Sequence, residues 1–478
     1  MNKCARRGVF TGVKNPRKIC AGVFAALSLF FALVAVHNRF YACCRDGAGG
    51  GLQKAPFDES LEIRAREADK LVFVAIGAHS LSEKTKKILA KNYIFTELDP
   101  KLNPADFEVF NHFFTVSSYA KKPLECAVLT PKLNPVYLSA KIDGERLNKI
   151  LPAAANAYAK NRELLRESAE NFGAALPHSR ALSFLRDDGN FSFSFARSLD
   201  NVPTAYLSEN ARLAFARYRT MRGFYFSNAA ARAFEALKTR YDREKSPRKK
   251  MLLARAIASA AFAADARALS PADEQARFVL GNRFDGVYEN ALALSLSSRA
   301  ALLFGKDEYA QRAAQIAREI MAAASGQKPF PSVLRECANS VADAYDIAAA
   351  ANALCDYSAA SGDKSALSAA AKLLAQLDAL YSSNSMLALN SARSPSAAFA
   401  RLSIFGDGER PSYTGEAMQA AAKLKILGAN SGFSETPRWE SPRRGAFARN
   451  FSDNGASVKL AAEGLVFADF PVIKKPHQ

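Results

Sequence analysis

The stretch that decides the fold runs from residue 70 to residue 142. It contains four apolar runs: LVFVAIG (71–77), YIFTELD (93–99), KPLECAVLTP (122–131) and VYLSAKI (136–142). Short continuous apolar runs rich in β-branched and aromatic residues are typical of buried strands. A lysine-rich helical pattern over residues 83–91 separates the first two runs. The stretch therefore predicts, in order, strand, helix, strand, helix, strand, turn and strand.

That order is the order of a thioredoxin-like domain, but the turn that would carry its chemistry has no thiol. A redox thioredoxin places its nucleophilic cysteine at the first helix N-terminus, because the helix dipole lowers the thiol pKa. Here the turn offers His79, Ser80, Ser82 and Glu83. We predict Ser82 as the helix N-cap and treat these four residues, with Pro123, as remnants of a redox site. Disulfide exchange at this turn is excluded.

The charge distribution limits the kinds of partner that the chain is expected to bind. The chain has 478 residues, 49% hydrophobic and 23% charged, which is globular composition sufficient for two or three domains. The net charge is +19, but 46 acidic side chains dilute it. This balance favours a solvated surface over a nucleic-acid site, so we predict no nucleic-acid partner. The basic connector 243–250 is interpreted as a solvated loop for the same reason.

The cysteines do not define a metal site or a disulfide framework. There are seven, and none lies in a Cys-x-x-Cys motif. Cys126 falls inside a predicted strand, and Cys337 and Cys355 fall in helical patterns, where packed core thiols are expected. We predict no metal and no cofactor.

The N-terminal region predicts a membrane anchor. Residues 19–36 form an uncharged, mostly apolar run, and six positive charges precede it in residues 1–18. The positive-inside bias then predicts a cytoplasmic basic tail (1–18), a transmembrane signal anchor (19–36), a flexible tether (37–57) and an extracytoplasmic remainder, periplasmic if the source is bacterial. A cleaved signal peptide and lipidation at Cys43 are the alternatives.

The remainder is predicted to be mainly helical. After the thioredoxin-like domain (58–146) we place a connecting helix (147–177), an α/α helical domain (178–429) and a C-terminal loop with a β-hairpin (430–478). Helices are expected near 206–220, 228–241, 249–268, 288–304, 307–324, 342–360, 364–381 and 413–427. Glycine followed by Asp at the turns 304–307 and 361–364 marks helix ends and starts. Long helix pairs of this kind favour an α/α toroid, whose completeness the sequence leaves open.

Several segments, in the right order, resemble one family. Residues 73–77, 91–99 and 122–135 look like the spermatogenesis-associated protein 20 family, whose members have a thioredoxin-like domain, often with Cys-His-x-Cys, and a helical domain of the six-hairpin glycosidase type. Residues 290–295 and 407–413 resemble further segments of that family. The resemblance covers most of residues 65–428 and implies this two-domain fold; the activity of the family is poorly defined. The chain departs from it at the cysteine turn, at Lys122 and at Glu289, where the family usually has tryptophan at the last two positions.

A sugar hydrolase or epimerase would need two carboxyl groups, or an acid and a base, converging on a pocket. Acids at the expected inner ends of helices are the candidates: Asp285, Glu289, Asp346, Asp407 and Glu416. The simpler explanation for each is a helix cap or a surface acid.

The leading hypothesis is therefore a membrane-anchored pseudoenzyme, with a redox-inactive thioredoxin-like domain and a degenerate helical domain. It would bind or scaffold a protein or glycan partner. The alternative is a carbohydrate-active enzyme that uses the acids of the toroid, and a third hypothesis is a redox protein that uses Cys126 or the pair Cys43–Cys44.

Overall fold

A computed structural model describes residues 52–77, 79–118, 122–175, 238–239, 241–262, 269–326, 330–334, 340–383, 386–403 and 413–427. These residues are mostly helical, with one small mixed sheet of five strands. They fall into two compact units. Unit 1 holds the described residues up to 99, residues 107–175 and residues 398–400. Unit 2 holds residues 100–106 and the other described residues from 238 onward.

Unit 1 contains the five-stranded sheet. Its strands are β1 (Lys54–Ala55), β2 (Leu71–Ile76), β3 (Tyr93–Leu98), β4 (Cys126–Leu129) and β5 (Pro135–Ser139), in the spatial order β1-β3-β2-β4-β5. β1, β3 and β2 run parallel, whereas β4 is antiparallel to β2 and to β5. All six residues of β2 are buried, so the prediction of a central buried strand is confirmed.

Helices cover both faces of the sheet. They are α1 (Leu61–Ala68), α2 (Glu83–Asn92), α3 (Pro104–Ser118), α4 (Gly144–Lys160) and α5 (Arg162–Ala175). Successive side chains of a strand point to opposite faces. Accordingly Phe73 joins a cluster with Leu89 and Leu151 of α2 and α4, and Val74 joins a cluster with Phe110 of α3. The stretch predicted as one connecting helix is two helices, because Asn161 leaves the helical conformation between them.

Unit 2 is built from helices of similar length. They are α6 (Pro247–Phe262), α7 (Leu269–Gly281), α8 (Val287–Phe304), α9 (Asp307–Ala324), α10 (Ala344–Ser361), α11 (Lys364–Tyr381) and α12 (Tyr413–Leu427). The unit also contains the strand pair β6 (Ser382–Ser383) and β7 (Met386–Leu387), and a 3-10 helix begins at Pro395. The predictions for α8 to α12 are confirmed within two residues at each end. The predicted helix 249–268 is confirmed as far as residue 262, and residues 263–268 lie outside the described residues.

One helix was missed. Although α7 was not predicted, it carries ordinary boundary signals: Pro271 in the first turn, Asp273 and Glu274 next to it, and Gly281 at the end. The predicted helix 206–220, most of 228–241 and the predicted C-terminal hairpin in 430–478 lie outside the described residues.

Four helices of unit 2 begin at the same end. At the start of α6, Arg248 forms an ion pair with Glu289 at the start of α8. The N–H of Val287 donates to Ser332, and the N–H of Ala342, just before α10, donates to Phe330 in the same short segment. The ring of Tyr345 in α10 packs edge-on against that of Tyr413, the first residue of α12, with centroids 4.8 Å apart.

The intervening helices α7, α9 and α11 run back between them. Gly305 (φ 63°) ends α8 and Gly362 (φ 76°) ends α10 in the left-handed conformation that glycine adopts without strain. Asp363 then caps α11 by accepting from the N–H of Ser365 at 2.8 Å. The two predicted turns are therefore confirmed as helix ends, although Lys306, not Asp307, is the N-cap residue of α9.

The helices that start together form an inner layer. In α10, 14 of 18 residues are buried, and in α8 the number is 12 of 18. The returning helix α9 instead buries one stripe, formed by Tyr309, Ala313, Ile316, Ala317 and Ile320. A helix buried nearly all round lies inside its domain, whereas a striped helix lies at the surface.

The predicted membrane location is corrected. None of the helices in the described ranges combines the length and the apolar character required to cross a bilayer. The run 19–36, on which the signal anchor, the single-pass topology and the extracytoplasmic location were predicted, lies outside the described residues. That prediction therefore has no support in the structure.

Candidate functional site

Three of the five candidate acids lie in the first turns of the inner helices. Glu289 is in α8, Asp346 in α10 and Glu416 in α12. A helix N-terminus carries partial positive charge, so an acid there stabilises the helix. Asp285 is exposed just before α8, and Asp407 lies outside the described residues. The helix starts thus provide a structural reason for Glu289, Asp346 and Glu416.

Glu416 is a buried ion-pair partner. Its side chain is 1% exposed and that of Arg255 is 8% exposed. Nη1 of Arg255 donates to Oε2 at 3.2 Å, and Nη2 donates to Oε1. Asn352 Nδ2 also donates to Oε2. Both carboxylate oxygens are therefore occupied by hydrogen bonds, in a place that solvent barely reaches.

Asp346 belongs to a capping box at the start of α10. The Asp346 N–H donates to Oδ1 of Asp343 at 2.9 Å, and the Asp343 N–H donates to Oδ2 of Asp346 at 3.1 Å. Reciprocal bonds of this kind satisfy N–H groups that a helix start leaves without partners. Both side chains are buried.

Glu289 lies nearer the surface. Its carboxylate is 3.3 Å from Nε of Arg248, whose guanidinium also lies over the ring of Tyr288 at 4.8 Å from the centroid. An ion pair that keeps Arg248 on an aromatic face is a positioning contact between α6 and α8. Glu289, Asp346 and Glu416 therefore make separate local contacts.

The structure reveals a further cluster, which we call the buried network: Ser295, Arg299, Asn352, Asp356 and Lys423. Lys423 Nζ donates to Oδ1 of Asn352 at 2.7 Å and to Oδ1 of Asp356 at 2.5 Å. Ser295 donates to Oδ2 of Asp356 at 2.5 Å, and Arg299 Nε donates to the same oxygen at 3.2 Å. Through Asn352 the network continues to Glu416. It links the four inner helices.

Sequence reasoning missed this network, although a signal existed. Ser295 and Arg299 are four residues apart, as are Asn352 and Asp356, and Gln419 and Lys423. Residues at this spacing share one face of a helix. Polar pairs on the same face of otherwise apolar helices indicate that the polar faces meet each other.

The electrostatic environment of the buried network keeps Asp356 ionised. Burial by itself raises the pKa of Asp356, but the charges of Arg299 and Lys423 outweigh it and hold that pKa well below its usual range. Burial lowers the pKa of Lys423, and Asp356 partly offsets this effect. A carboxyl group with a lowered pKa stays ionised near neutral pH and does not serve as a general acid.

The turn at residues 79–83 is occupied by structural hydrogen bonds. His79 Nε2 donates to the carbonyl oxygen of Ile76 at 2.6 Å. Ser82 caps α2 by accepting from the N–H of Thr85 at 3.2 Å, so the prediction of its N-cap role is confirmed. Thr85 Oγ1 donates in turn to Asn148 of α4 at 3.0 Å. No hydrogen bond joins His79 to a serine among these contacts.

The other members of the turn are exposed. Ser80 and Pro123 face solvent, and Glu83 lies 2.7 Å from Lys86, whose hydrogen bond and charge lower the pKa of that carboxyl group. The peptide bond before Pro123 is trans, as is every other peptide bond in the described residues.

Two cysteines are described, and both are buried thiols. Cys126 in β4 and Cys355 in α10 are each 0% exposed. Burial raises the pKa of each to about 12. Since the thiolate is the reactive form, both behave as packed core residues, as expected for these two positions. Cys43, Cys44 and Cys337 lie outside the described ranges. Within those ranges no group of three or more His, Cys, Asp or Glu is arranged to hold a metal ion.

Comparison with known proteins gives little. No family model matches the chain, and no curated protein matches it. Among solved structures, a polysaccharide lyase is similar to it over 59% of this chain and 99% of its own, with 11% sequence identity and a TM-score of 0.36. A likeness at that level carries no argument about fold or activity. The resemblance to the spermatogenesis-associated protein 20 family stays a prediction.

Proposed function

We propose that the chain is a non-catalytic binding or scaffolding protein. The observation that carries this proposal is the occupation of Glu416, the most deeply buried of the described candidate acids, by Arg255 and Asn352. Asp346 and Glu289 likewise have structural partners. A catalytic carboxyl group must reach substrate, and a general acid needs a proton to give.

We further propose that unit 1 is a redox-inactive thioredoxin-like domain. The strand order β1-β3-β2-β4-β5 and the Ser82-capped helix after β2 support this interpretation. The hydrogen bonds of His79 and Ser82, together with the burial of Cys126, support a contact surface at the former redox turn rather than a reactive one.

For unit 2 we propose an α/α toroid type of fold, related to that of the spermatogenesis-associated protein 20 family. Alternation of inner helices that start at one end with returning outer helices supports it. The partner we propose is a protein or a glycan.

A glycan array and a pull-down, both with the full-length chain, test the proposal. We expect retention of a partner without any chemical change in it, when the retained material is analysed by mass spectrometry. Cleavage or epimerisation of a retained glycan would overturn the proposal in favour of the carbohydrate-active alternative.

Maleimide labelling of the native chain, mapped by peptide, tests the redox-inactive part. We expect Cys126 and Cys355 to label only after denaturation. Rapid labelling of Cys126 in the folded chain would contradict the assignment and reinstate a redox role.

A further inference from the structure

Phe399 is a side chain from late in the chain that completes unit 1. Residues 398–400 belong to that unit, whereas the residues on either side of them do not. The Phe399 ring lies 5.2 Å, centroid to centroid, from the rings of both Phe110 and Phe113 in α3. Because Phe110 and Phe113 are three residues apart, they share one face of the helix.

Helix α5 contacts Phe399 from a second side, next to α3. A methyl group in place of a Gly173 hydrogen would lie 4.0 Å from both the ring and the carbonyl oxygen of Phe399. These are ordinary van der Waals distances, so α5 lies next to both the ring and the backbone of Phe399. We call the surface formed by Phe110, Phe113 and Gly173 the aromatic pocket.

The exposures of the three rings differ. Phe110 is 1% exposed and Phe113 is 0% exposed, whereas Phe399 is only half-buried and Ala398 is exposed. Phe399 thus lies on top of the other two rings at the protein surface. Its removal would uncover apolar aromatic surface with a defined shape.

The segment that carries Phe399 is short and irregular. A 3-10 helix, Pro395–Ala398, precedes it, and Ala397 N–H donates to Ser394 at 2.9 Å. Phe399 is packed against the apolar cluster on this face of the sheet, which includes Phe110, Phe114 and Leu133. One aromatic side chain on a non-helical segment is therefore the element that the pocket accommodates.

We propose that the aromatic pocket is a docking site for a peptide segment presenting one phenylalanine-like side chain, and that Phe399 is its resident internal ligand. Rings at this separation, one tilted and one edge-on, gain more than buried area alone provides. A tethered ligand acts at high effective concentration, so Phe399 outcompetes a free segment for the pocket. A partner segment therefore binds only when residues 398–400 withdraw. The pocket would serve the binding role proposed above, but peptide binding to it does not require that the chain is non-catalytic.

The test uses the full-length chain and a fluorescent peptide of residues 394–403, with polarisation as the readout. We expect saturable binding to the Phe399→Ala variant and at least tenfold weaker binding to the wild-type chain, whose own ring fills the pocket. The same peptide with Phe399→Ala should bind the variant at least tenfold more weakly. Phe304→Ala is the matched control, because Phe304 is also half-buried and packs against a buried ring, that of Tyr309, at 6.2 Å.

A folded Phe399→Ala chain that does not bind the peptide, or Phe304→Ala binding it equally well, would overturn the proposal. If Phe399→Ala fails to fold, hydrogen exchange on the wild-type chain decides. Saturating peptide must then speed exchange in residues 398–400 at least threefold while α3 stays protected, and unchanged exchange would overturn the proposal.

Discussion

The cores of the two units are both largely apolar, but they differ in the buried ion pairs that unit 2 adds. In unit 1, apolar side chains such as Phe73 and Val74 alternate between two clusters on opposite faces of a sheet. In unit 2, ion pairs such as Arg255–Glu416 lie between the inner helices. Apolar burial drives compaction without direction, whereas a buried ion pair fixes which residues meet. Ion pairs and hydrogen bonds between and within helices therefore explain why the candidate acids of unit 2 that the structure describes in helices lie where they do.

The largest effect is expected from the buried network of unit 2. Asp356→Ala removes the carboxylate that Arg299 and Lys423 both bind, so we expect a loss of about 3–5 kcal/mol in the free energy of unfolding. Urea unfolding measures it. Glu170→Ala is the control, because its ion pair with Lys132 is exposed and should contribute less than about 1 kcal/mol. Equal losses in the two variants would remove the contrast between the units.

In unit 1 the matching experiment creates a cavity. Leu89 of α2 is 0% exposed and lies in the cluster with Phe73. We expect Leu89→Ala to lose about 2–5 kcal/mol of unfolding free energy. Leu164 of α5, which is 57% exposed, provides the control, and Leu164→Ala should change stability little. A small effect at Leu89 would show that the sheet core is loosely packed.

Substitution of Asp106, in unit 2, should stabilise the chain, whereas the substitutions above destabilise it. Burial raises its pKa to about 6, although hydrogen bonds from Ser396 and Ser394 act against the rise, and Oδ1 accepts from the Ser396 N–H at 2.9 Å. The folded state thus binds the proton more tightly than the unfolded state does, and stability falls as the pH rises from about 4 to about 6.

Asp106→Asn should therefore stabilise the chain at pH 7, by up to about 3 kcal/mol, and flatten this pH dependence. Urea unfolding between pH 4.5 and pH 7.5, in roughly one-unit steps, checks it, with Glu67→Gln at an exposed acid as control. A destabilised Asp106→Asn chain at pH 7 would show that the ionised carboxylate is required.

The smallest effect is expected at the turn formed by residues 79–83. Ser82→Ala removes the cap of α2 and should lose about 1 kcal/mol of unfolding free energy. Thermal unfolding measures this loss, and Ser80→Ala, two residues earlier and exposed, should be neutral in that assay. A neutral Ser82→Ala would contradict a structural role for this serine.

The same contrast governs what the sequence could predict. Strand β2 and the Ser82 cap depend on neighbouring residues, so a continuous apolar run and the capping rules predicted them. Arg255 and Glu416 are 161 positions apart, and Phe110 and Phe399 are almost 300 apart; no local pattern indicates that either pair meets. The spacing of Asn352 and Asp356 predicts that they share a polar face of one helix. It does not predict which residues of other helices contact that face.

Other differences have local causes. Helix α7 was missed, although Pro271 lies in its first turn, a position that proline tolerates. The membrane anchor was predicted from hydropathy in residues 19–36, and nothing in the described helices supports it.

The most direct test of the central claim is a double-mutant cycle on Arg255 and Glu416, followed by urea unfolding. If Glu416 is a structural ion-pair partner, Glu416→Leu should lose about 3–5 kcal/mol, because it leaves the Arg255 guanidinium without this carboxylate. Combining it with Arg255→Met should recover most of that loss. If Glu416→Leu instead costs less than about 1 kcal/mol, within the range of an ordinary surface pair, Glu416 is not required by the fold, and the non-catalytic account is contradicted.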